Sequence, residues 1–421
     1  MTLPASGMLG CASINVEMGN SPTSQASLHA MSLVAGFPTP DKISDFYGWS
    51  ASSFNDIYFC DQIGTGNGES YTFRSDSFGN WTNVGGVNFP TWLEYGMEMR
   101  SMAQSYDGNY IFCGDLSTYS GGYNWIVRSD DGGSTWDLVK SETALLRRFF
   151  AISCSSSGQY VLAANQDEVF WSDDFGDSWS SPAADSTWNC CWVSESGQYA
   201  ACGRTSTTTL WTENYGSSWD TTTVPTLSSA GVRQMIHAKD TSVLVFIGWY
   251  TSQIAVTYDY FNSYTLSGTL TSRFSGGCIS NDGKYILVPP SDGYSSPTST
   301  LNVSSDYGQN WSSISSGVSA QLWSHSAMSG DGEYMLAIDG LSTDANCVYS
   351  SNYGASFSTI SGITGAGRDC NVSETGQYAF IATAAGSYQS DDYMATWAKI
   401  WTDTSVGRGL RFVASEYPVY P

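Results

Sequence analysis

The fold is decided by a short turn that the chain repeats. It reads SDDFGDSW at residues 172–179, SDDGGSTW at 129–136 and SSDYGQNW at 304–311. Each copy has a Ser followed two residues later by an Asp, and each closes on an aromatic residue shortly after a Gly. Short polar side chains beside a Gly are typical of tight turns, and the β-branched and aromatic residues around them are typical of strands.

Further copies of this turn extend the pattern along the chain. TENYGSSW, SSNYGASF and SDDYMATW end at Trp219, Phe357 and Trp397. Two copies look damaged, namely SDSFGNW, which is one residue short and ends at Trp81, and TYDYFNSY, which ends at Tyr264. The closing aromatic residues recur every 40–55 residues, which is the length of one four-stranded propeller blade.

A second motif precedes each of these turns. VSESGQYAACGR (193–204), ISNDGKYILVPP (279–290) and MSGDGEYMLAID (328–339) each predict a strand, a tight Gly turn and a returning strand that opens on Tyr. Each repeat is therefore two hairpins. Strands A and B join at the Gly-x-Tyr turn, and strands C and D join at the turn with Ser and Asp, which we call the Ser-x-Asp turn. We count eight such units, which predict an all-β, eight-bladed propeller over residues 49–421.

The end of the chain indicates how such a ring would close. LRFVASEYPVYP (410–421) resembles the beginning of a ninth unit. A propeller avoids open sheet edges by pairing strands from both ends of the chain. We therefore expect the C-terminal strand to become the innermost strand of the blade that begins near residue 50.

Composition and charge limit the function classes. The chain has 16 Lys and Arg against 39 Asp and Glu, a net charge of −23. Such a surface repels nucleic acid and anionic membranes, so we expect neither as a partner. No apolar run approaches the length of a membrane helix, and we expect no cleaved secretion signal. Cys60, Cys113 and Cys202 share a repeat position with Ala163 and Val288, which predicts buried free thiols in a protein made in a reducing cytoplasm.

The Ser-x-Asp turn resembles the Asp-box (BNR) repeats of sialidases and related propellers. The resemblance implies that the Ser and Asp hydrogen-bond to backbone N–H groups and lock the turn, while the closing aromatic residue packs between sheets. The residues that match are Asp131, Asp174, Asn214, Asp306, Asn352 and Asp392, with the closing residues Trp136, Trp179, Trp219, Trp311, Phe357 and Trp397. One carboxylate pair per turn is too few for calcium, so we expect neither a metal nor a cofactor.

The segment before residue 49 contains neither motif. It carries LPASG at residues 3–7, INVEMG at 14–19 and SDFYG at 44–48. The order of these blocks resembles the N-terminal module of many tailed-phage virion proteins. The resemblance implies that residues 1–48 attach the chain to other virion proteins of the tail, neck or capsid. The alternative is a capping extension packed against the propeller.

Two groups of residues are candidates for ligand binding. The turns of both motifs lie on one face of a propeller, so we expect a ligand on the other face, where long loops carry Tyr119, Tyr123, Trp249 and Tyr294. Aromatic rings with nearby hydroxyl and amide groups suit carbohydrate; the alternative is that these are only solvated loops.

The second candidate group is six arginines at or near the start of a predicted innermost strand: Arg100, Arg148, Arg233, Arg273, Arg368 and Arg411. They could bind a carboxylate or phosphate, or pair with acidic side chains.

The sequence predicts a bacteriophage virion structural protein, a tail fibre or receptor-binding component that recognises host-surface glycan. Assembly as a homo-oligomer is compatible with this role. An enzyme is the less favoured interpretation, because no catalytic residue can be assigned: the Arg-Ile-Pro segment of sialidases is absent, and the three histidines lack zinc spacing. The alternatives are a sialidase-like glycan hydrolase on the virion and a non-viral propeller that serves as an assembly scaffold.

Overall fold

The computed structural model describes a large part of the chain. The described residues are 57–60, 72–75, 81–83, 99–401 and 411–413, without the internal segments 106–107, 116–123, 134, 143–147, 185–186, 205, 207, 225–230, 240, 249–252, 270–275, 291–299, 320 and 341–345. Residues 1–48 lie outside this set, so the predicted N-terminal module and its boundary stay a prediction. Among the described residues, no helix is long and apolar enough to cross a membrane.

All regular structure in the described chain is β-strand. The strands before residue 149 are β1 (Ile57–Cys60), β2 (Thr72–Ser75), β3 (Trp81–Asn83), β4 (Met99–Gln104), β5 (Ile111–Asp115), β6 (Asn124–Ser129) and β7 (Asp137–Glu142). The next eight are β8 (Phe149–Cys154), β9 (Val161–Asn165), β10 (Glu168–Ser172), β11 (Ser180–Ala184), β12 (Trp188–Val193), β13 (Ala200–Arg204), β14 (Thr208–Thr212) and β15 (Asp220–Thr223).

The second half of the chain continues the pattern. Its strands are β16 (Val232–His237), β17 (Leu244–Gly248), β18 (Gln253–Thr257), β19 (Thr265–Thr269), β20 (Cys278–Ile279), β21 (Ile286–Val288), β22 (Leu301–Ser304), β23 (Ser312–Ile314), β24 (Trp323–Met328), β25 (Met335–Asp339), β26 (Cys347–Ser350), β27 (Ser358–Ile360), β28 (Gly367–Val372), β29 (Ala379–Thr383), β30 (Gly386–Ser390), β31 (Ala398–Trp401) and β32 (Arg411–Val413).

Between Met99 and Trp401 these strands form seven four-stranded antiparallel sheets, each in chain order. In six of these sheets the first two strands join at a Gly turn, as β8 and β9 do, whereas the turn between β16 and β17 has no Gly. The last two strands of each sheet join at the Ser-x-Asp turn or its Thr or Asn variant, as β10 and β11 do. The predicted division of a repeat into two hairpins is confirmed. The fold class is accordingly all-β, with the repeated sheets of a β-propeller.

The chain ends meet in one further four-stranded sheet. Its order is β3-β2-β1-β32, and Phe412 of β32 pairs with Phe59 of β1. This is the pairing that the sequence predicts for the C-terminal strand. It leaves β1 with a neighbour on both sides, which removes an exposed edge.

The apolar core lies between neighbouring sheets. One cluster joins Phe112 and Ile126 of the sheet β4–β7 to Phe149 and Val161 of the sheet β8–β11. The second strand of a sheet is the most deeply buried; every residue of β9, β17, β25 and β29 is buried, whereas β11 and β23 are largely exposed. A strand with a sheet packed on both faces must be apolar on both, which explains the continuous VLAAN and LVFIG runs.

The closing aromatic residues occupy the predicted positions between sheets. Trp136 and Phe357 are buried, and the remaining described ones pack against the core clusters as half-buried rings: Trp179, Trp219, Tyr264, Trp311 and Trp397. The cysteines agree with the prediction too. Of the eight that the structure describes, seven are buried, Cys278 is half-buried, and all are free thiols.

Candidate functional site

The Ser-x-Asp turns are held by their own side chains. In residues 172–179, the Ser172 hydroxyl donates to Asp174 Oδ1 at 2.8 Å, and the same oxygen accepts from Ser178 N at 2.9 Å. Oδ2 accepts from the Ser178 hydroxyl at 2.6 Å, and Gly176 N donates to Ser172 Oγ at 2.8 Å. The predicted role of Ser and Asp in locking this turn is confirmed.

The other described turns repeat this arrangement. Asp131, Asp259, Asp306 and Asp392 accept the same bonds, and Asn214 and Asn352 replace the carboxylate with an amide. Burial by itself would raise the pKa of Asp174, but the hydrogen bonds from Ser178 and Ser172 outweigh it and lower the pKa. Hydrogen bonds within the turn lower the pKa of Asp259, Asp306 and Asp392 in the same way. The oxygen atoms of these carboxylates are already occupied by the turn. Within the part of the chain that the structure describes, no group of three or more His, Cys, Asp or Glu side chains could hold a metal ion.

The copy TYDYFNSY departs from the motif in sequence, as predicted, but keeps the hydrogen bonds of the turn. Asp259 accepts from the Thr257 hydroxyl at 2.8 Å, from Ser263 N at 2.9 Å and from the Ser263 hydroxyl at 2.6 Å. The expected Gly is replaced by Phe261, which is buried and stacks on Trp211 with 4.9 Å between ring centroids. The turn depends on the Thr, Asp and Ser side chains, so its apolar positions can change.

The residue before the Gly of this turn is aromatic in most copies, a pattern that our sequence analysis did not use. These residues, Phe175, Tyr215, Tyr260, Tyr307, Tyr353 and Tyr393, all adopt φ between 52° and 63°. Five of them contact the Tyr of the Gly-x-Tyr turn in the preceding sheet, with ring centroids 3.9–5.3 Å apart; two of these pairs are stacked and three are tilted. We call the six residues the turn aromatics.

The Gly-x-Tyr motif also acts between sheets. A Cβ on Gly197 would lie 2.0 Å from the ring of Tyr160, which belongs to the preceding Gly-x-Tyr turn. Gly158, Gly332 and Gly376 approach Tyr110, Tyr285 and Tyr334 in the same way. Two separate requirements therefore favour Gly at this position. Its φ is positive, and the neighbouring Tyr ring occupies the space that a Cβ would need.

A cavity of about 230 Å³ lies among the innermost strands. Its walls come from β12, β16, β20, β24, β28 and the turns that follow them. The polar side chains that line it are Glu195, Gln234, His237, Lys239, Asn281, Ser326, Asn371 and Glu374, and the aromatic one is Trp192. Five repeats contribute to one site. Four lining residues lie two positions before the Gly of a Gly-x-Tyr turn: Glu195, Asn281, Gly330 and Glu374. The cavity is therefore at the turn end of the innermost strands and not on the other face, where the sequence predicts a ligand.

Contacts between sheets hold the cavity walls. Gly277 N donates to Gln234 Oε1 at 2.8 Å, and the Asn281 amide donates to Glu374 Oε1. Lys239 Nζ lies 3.8 Å from Glu195 Oε1. The lysine is mostly buried and the glutamate is partly exposed, so this ion pair contributes little stability but fixes the position of both side chains.

His237 is the most distinctive group in the cavity. It stacks on Trp192 with 4.2 Å between centroids, and burial lowers its pKa to about 3. Its Nε2 is buried and has no hydrogen-bond partner among the described residues. The imidazole is therefore neutral at neutral pH, where it is a poor general acid or base but can hydrogen-bond to a ligand. With the amides of Gln234 and Asn371, it suits an uncharged ligand rich in hydroxyl groups.

The predicted arginines lie at the other end of the innermost strands. Arg411 begins β32, Arg100, Arg233 and Arg368 are the second residues of β4, β16 and β28, and Arg148 immediately precedes β8. Their placement at strand starts is as predicted. The described lining of the cavity contains no arginine. Ligand binding by these residues stays a prediction, and Arg273, Tyr119, Tyr123, Trp249 and Tyr294 lie outside the described residues.

Comparison with known proteins supports the fold only. No protein-family model matches the sequence, and no curated protein matches it. Among solved structures, YCF48 bound to D1 peptide is 13% identical, covers 76% of this chain and 94% of its own, and has a TM-score of 0.50. The C-terminal WD40 domain of Sif2 is 14% identical, covers 70% and 82%, and has a TM-score of 0.51. A xyloglucanase from Xanthomonas campestris is 10% identical, covers 79% and 72%, and has a TM-score of 0.46. The first two are similar to this chain as β-propellers.

Proposed function

We propose that this chain is a structural protein of a tailed-phage virion, a tail fibre or receptor-binding component whose propeller recognises host-surface carbohydrate. Residues 1–48 attach it to other virion proteins, and the propeller extends from the particle. The observation that carries the proposal is the ordered set of blocks LPASG, INVEMG and SDFYG ahead of an unrelated repeat. The protein is made in the host cytoplasm and works on the virion.

We further propose that the propeller is a closed ring of eight blades. Support comes from β32, which pairs with β1 and also contacts β28 and β4, the innermost strands of the last and first complete sheets. The sheet β3-β2-β1-β32 then supplies the eighth blade. A closed ring leaves only the short outermost strand of each blade with an unpaired edge, which suits a part displayed outside a particle.

The cavity supports binding as the activity. It brings neutral hydrogen-bonding groups together beside Trp192, as a sugar ring with several hydroxyl groups requires. Because the pKa of His237 lies near 3, this side chain does not transfer protons at neutral pH. His237 is therefore proposed to bind the ligand and not to act as a general acid or base.

Deletion of residues 1–48 tests the attachment role. We expect the truncated protein to fold and unfold cooperatively, yet to be missing from assembled particles when it replaces the full chain. The full chain should appear on the tail in an image reconstruction of the particle. If the truncated chain is incorporated normally, or the full chain is absent from purified particles, the virion role is wrong.

Binding to purified host polysaccharide tests the recognition role. The pair His237→Phe and Asn371→Ala keeps the stacking on Trp192 but removes two hydrogen-bonding groups, so affinity should fall about tenfold or more. The pair Arg233→Ala and Arg368→Ala is the matched variant at the other strand ends. If only the arginine pair loses affinity, the ligand lies at that end. Absence of binding by the wild type, or release of sugars from the polysaccharide, would contradict the proposed recognition protein.

A further inference from the structure

Most of the exposed large apolar side chains share one position of the repeat. Among the described residues, six such side chains are exposed, and four are the turn aromatics Tyr215, Tyr307, Tyr353 and Tyr393, at 37–44%. The other two, Leu138 and Leu266, lie in strands β7 and β19. Apolar groups that recur on one face of a repeat protein indicate a contact surface.

The backbone at these residues is unfavourable for a side chain. Each turn aromatic adopts φ near 60°, which costs about 1–2 kcal/mol for a residue other than Gly. The corresponding residue in the turn 129–136 is Gly132, with φ of 67°, so this turn can form without an aromatic ring. The rings at the other copies are therefore not required for the turn itself.

The surroundings of these rings are acidic. The turns that carry or adjoin them contain Asp173, Glu213, Asp282, Glu333 and Asp391, and also Asp177, which pairs with Arg128 at 2.6 Å. The described lysines beside them are Lys239 and Lys284. The negative charge of Glu333 raises the pKa of Tyr353, and the charge of Asp331 acts in the same direction. A carboxylate this close to an aromatic face makes the face more attractive to a cation.

The chain itself supplies an example of such a contact. Lys284 Nζ lies 4.8 Å from the centroid of Tyr285, and Tyr285 contacts Tyr353 at a tilt with centroids 4.8 Å apart. One ammonium group of the protein therefore already lies over a ring of this surface. The pairs Tyr334–Tyr393 and Tyr160–Tyr215 repeat this tilted contact at other sheets, each between a half-buried and an exposed ring.

We propose that the turn face is a docking surface for a lysine- or arginine-rich segment of a partner protein. Cationic side chains lie against the turn aromatics, and the adjacent carboxylates attract them. A second copy of this chain does not fit, because each carries a net charge of −23 and would be repelled. An anionic glycan is disfavoured for the same reason. Docking here does not depend on the proposed carbohydrate site, which uses other residues.

An oligolysine peptide is the probe for this surface. We expect the full-length protein to bind it at low salt and to lose affinity as salt is raised. The test variant is Tyr353→Gly with Tyr393→Gly, which copies the backbone chemistry of Gly132 and should preserve the fold. Its affinity should fall about fivefold or more, because exposed cation–π contacts contribute about 0.5–1 kcal/mol each.

Two matched variants complete the test. Leu138→Ser with Leu266→Ser removes similarly exposed apolar side chains from strands, and its affinity should equal that of the wild type. Glu333→Gln with Asp391→Asn keeps the rings but removes charge, and should weaken binding and flatten its salt dependence. Unfolding midpoints should be close to wild type for these two pairs. The double-Gly variant loses its ring contacts but relieves the backbone cost of φ near 60°, so it should remain folded at the temperature of the binding assay.

Three outcomes would overturn the proposal. The first is no binding of oligolysine or oligoarginine at low salt. The second is wild-type affinity in the double-Gly variant, which would show diffuse attraction without aromatic contacts. The third is that the wild type binds a neutral polysaccharide as tightly as oligolysine and that the double-Gly variant loses this polysaccharide binding. That result would assign the face to carbohydrate.

Discussion

At the scale of single residues, one acceptor oxygen holds each Ser-x-Asp turn. Asn214 shows that an amide serves as well: its Oδ1 accepts from Ser218 N at 3.0 Å, and its Nδ2 donates to Ser218 Oγ at 2.8 Å. In the acidic copies the hydroxyl donates instead, as Ser178 does to Asp174. A hydroxyl can do either, so the two versions of the turn are interchangeable.

Asp174→Asn should therefore unfold within about 0.5 kcal/mol of the wild type at neutral pH, whereas Asp174→Ala should lose about 1–2 kcal/mol. The pH dependence separates them further. The folded pKa of Asp174 is lowered from 3.8, so its contribution is complete above that value and is lost as the pH falls through the folded pKa. Asn does not titrate, so the wild type should lose stability relative to Asp174→Asn as the pH falls through that range. Urea unfolding across acid pH measures both effects, and an Asn variant as unstable as the Ala variant would contradict them.

At the scale of structural elements, each Gly-x-Tyr hairpin is completed by its neighbour. The Tyr of one hairpin fills the space left by the Gly of the next and contacts a turn aromatic of that same sheet. Sheets are joined at their turns as well as through the core. We expect this contact to contribute to stability separately from the backbone requirement of the Gly.

Gly197→Ala and Gly362→Ala distinguish the two requirements. Both glycines have positive φ, but a Cβ on Gly362 meets nothing within 4 Å, whereas one on Gly197 meets Tyr160. Gly362→Ala should cost about 1–2 kcal/mol from backbone strain, and Gly197→Ala should cost about 1–3 kcal/mol more from the clash. Chemical unfolding gives both values. Gly197→Ala should cost less in a Tyr160→Ala background than in the wild type, because the ring that the Cβ meets is gone. Equal costs for the two Gly variants would exclude the clash.

At the scale of the whole molecule, stability depends on strands from opposite ends of the chain. β32 pairs with β1, and Arg411 lies opposite Cys60 in that register. Every other described sheet is built from strands that follow one another in the sequence. In the proposed ring, this pairing joins the parts of the described chain that are farthest apart in sequence, so it costs the most loop entropy.

A cross-link tests this closure. Arg411→Cys places a thiol opposite the native Cys60, and oxidation should join the two because paired strands bring facing residues within disulfide distance. The oxidised variant should run faster on a non-reducing gel, and its free energy of unfolding should rise by up to about 5 kcal/mol. Arg411→Ser controls for the lost arginine. Failure to cross-link in the folded protein would show that β32 does not pair with β1.

The sequence by itself determined the repeated part of the structure. Ser172, Asp174 and Ser178 lie within one turn, and Gly197 and Tyr199 lie within another, so local motifs identify both hairpins of a sheet. The burial of the thiols and the placement of arginines at strand starts follow from the same periodicity. These features depend on residues close together in the chain, where turn geometry and alternation are sufficient.

Only the tertiary structure decided where different repeats meet. The cavity combines Gln234, His237 and Asn371 from sheets whose motifs carry no mark at those positions. The contact of Tyr160 with Tyr215 and the intact turn around Asp259 were missed for a related reason. Contacts between blades depend on how neighbouring sheets are placed relative to one another. That placement results from packing over the whole ring, which no local pattern of residues specifies.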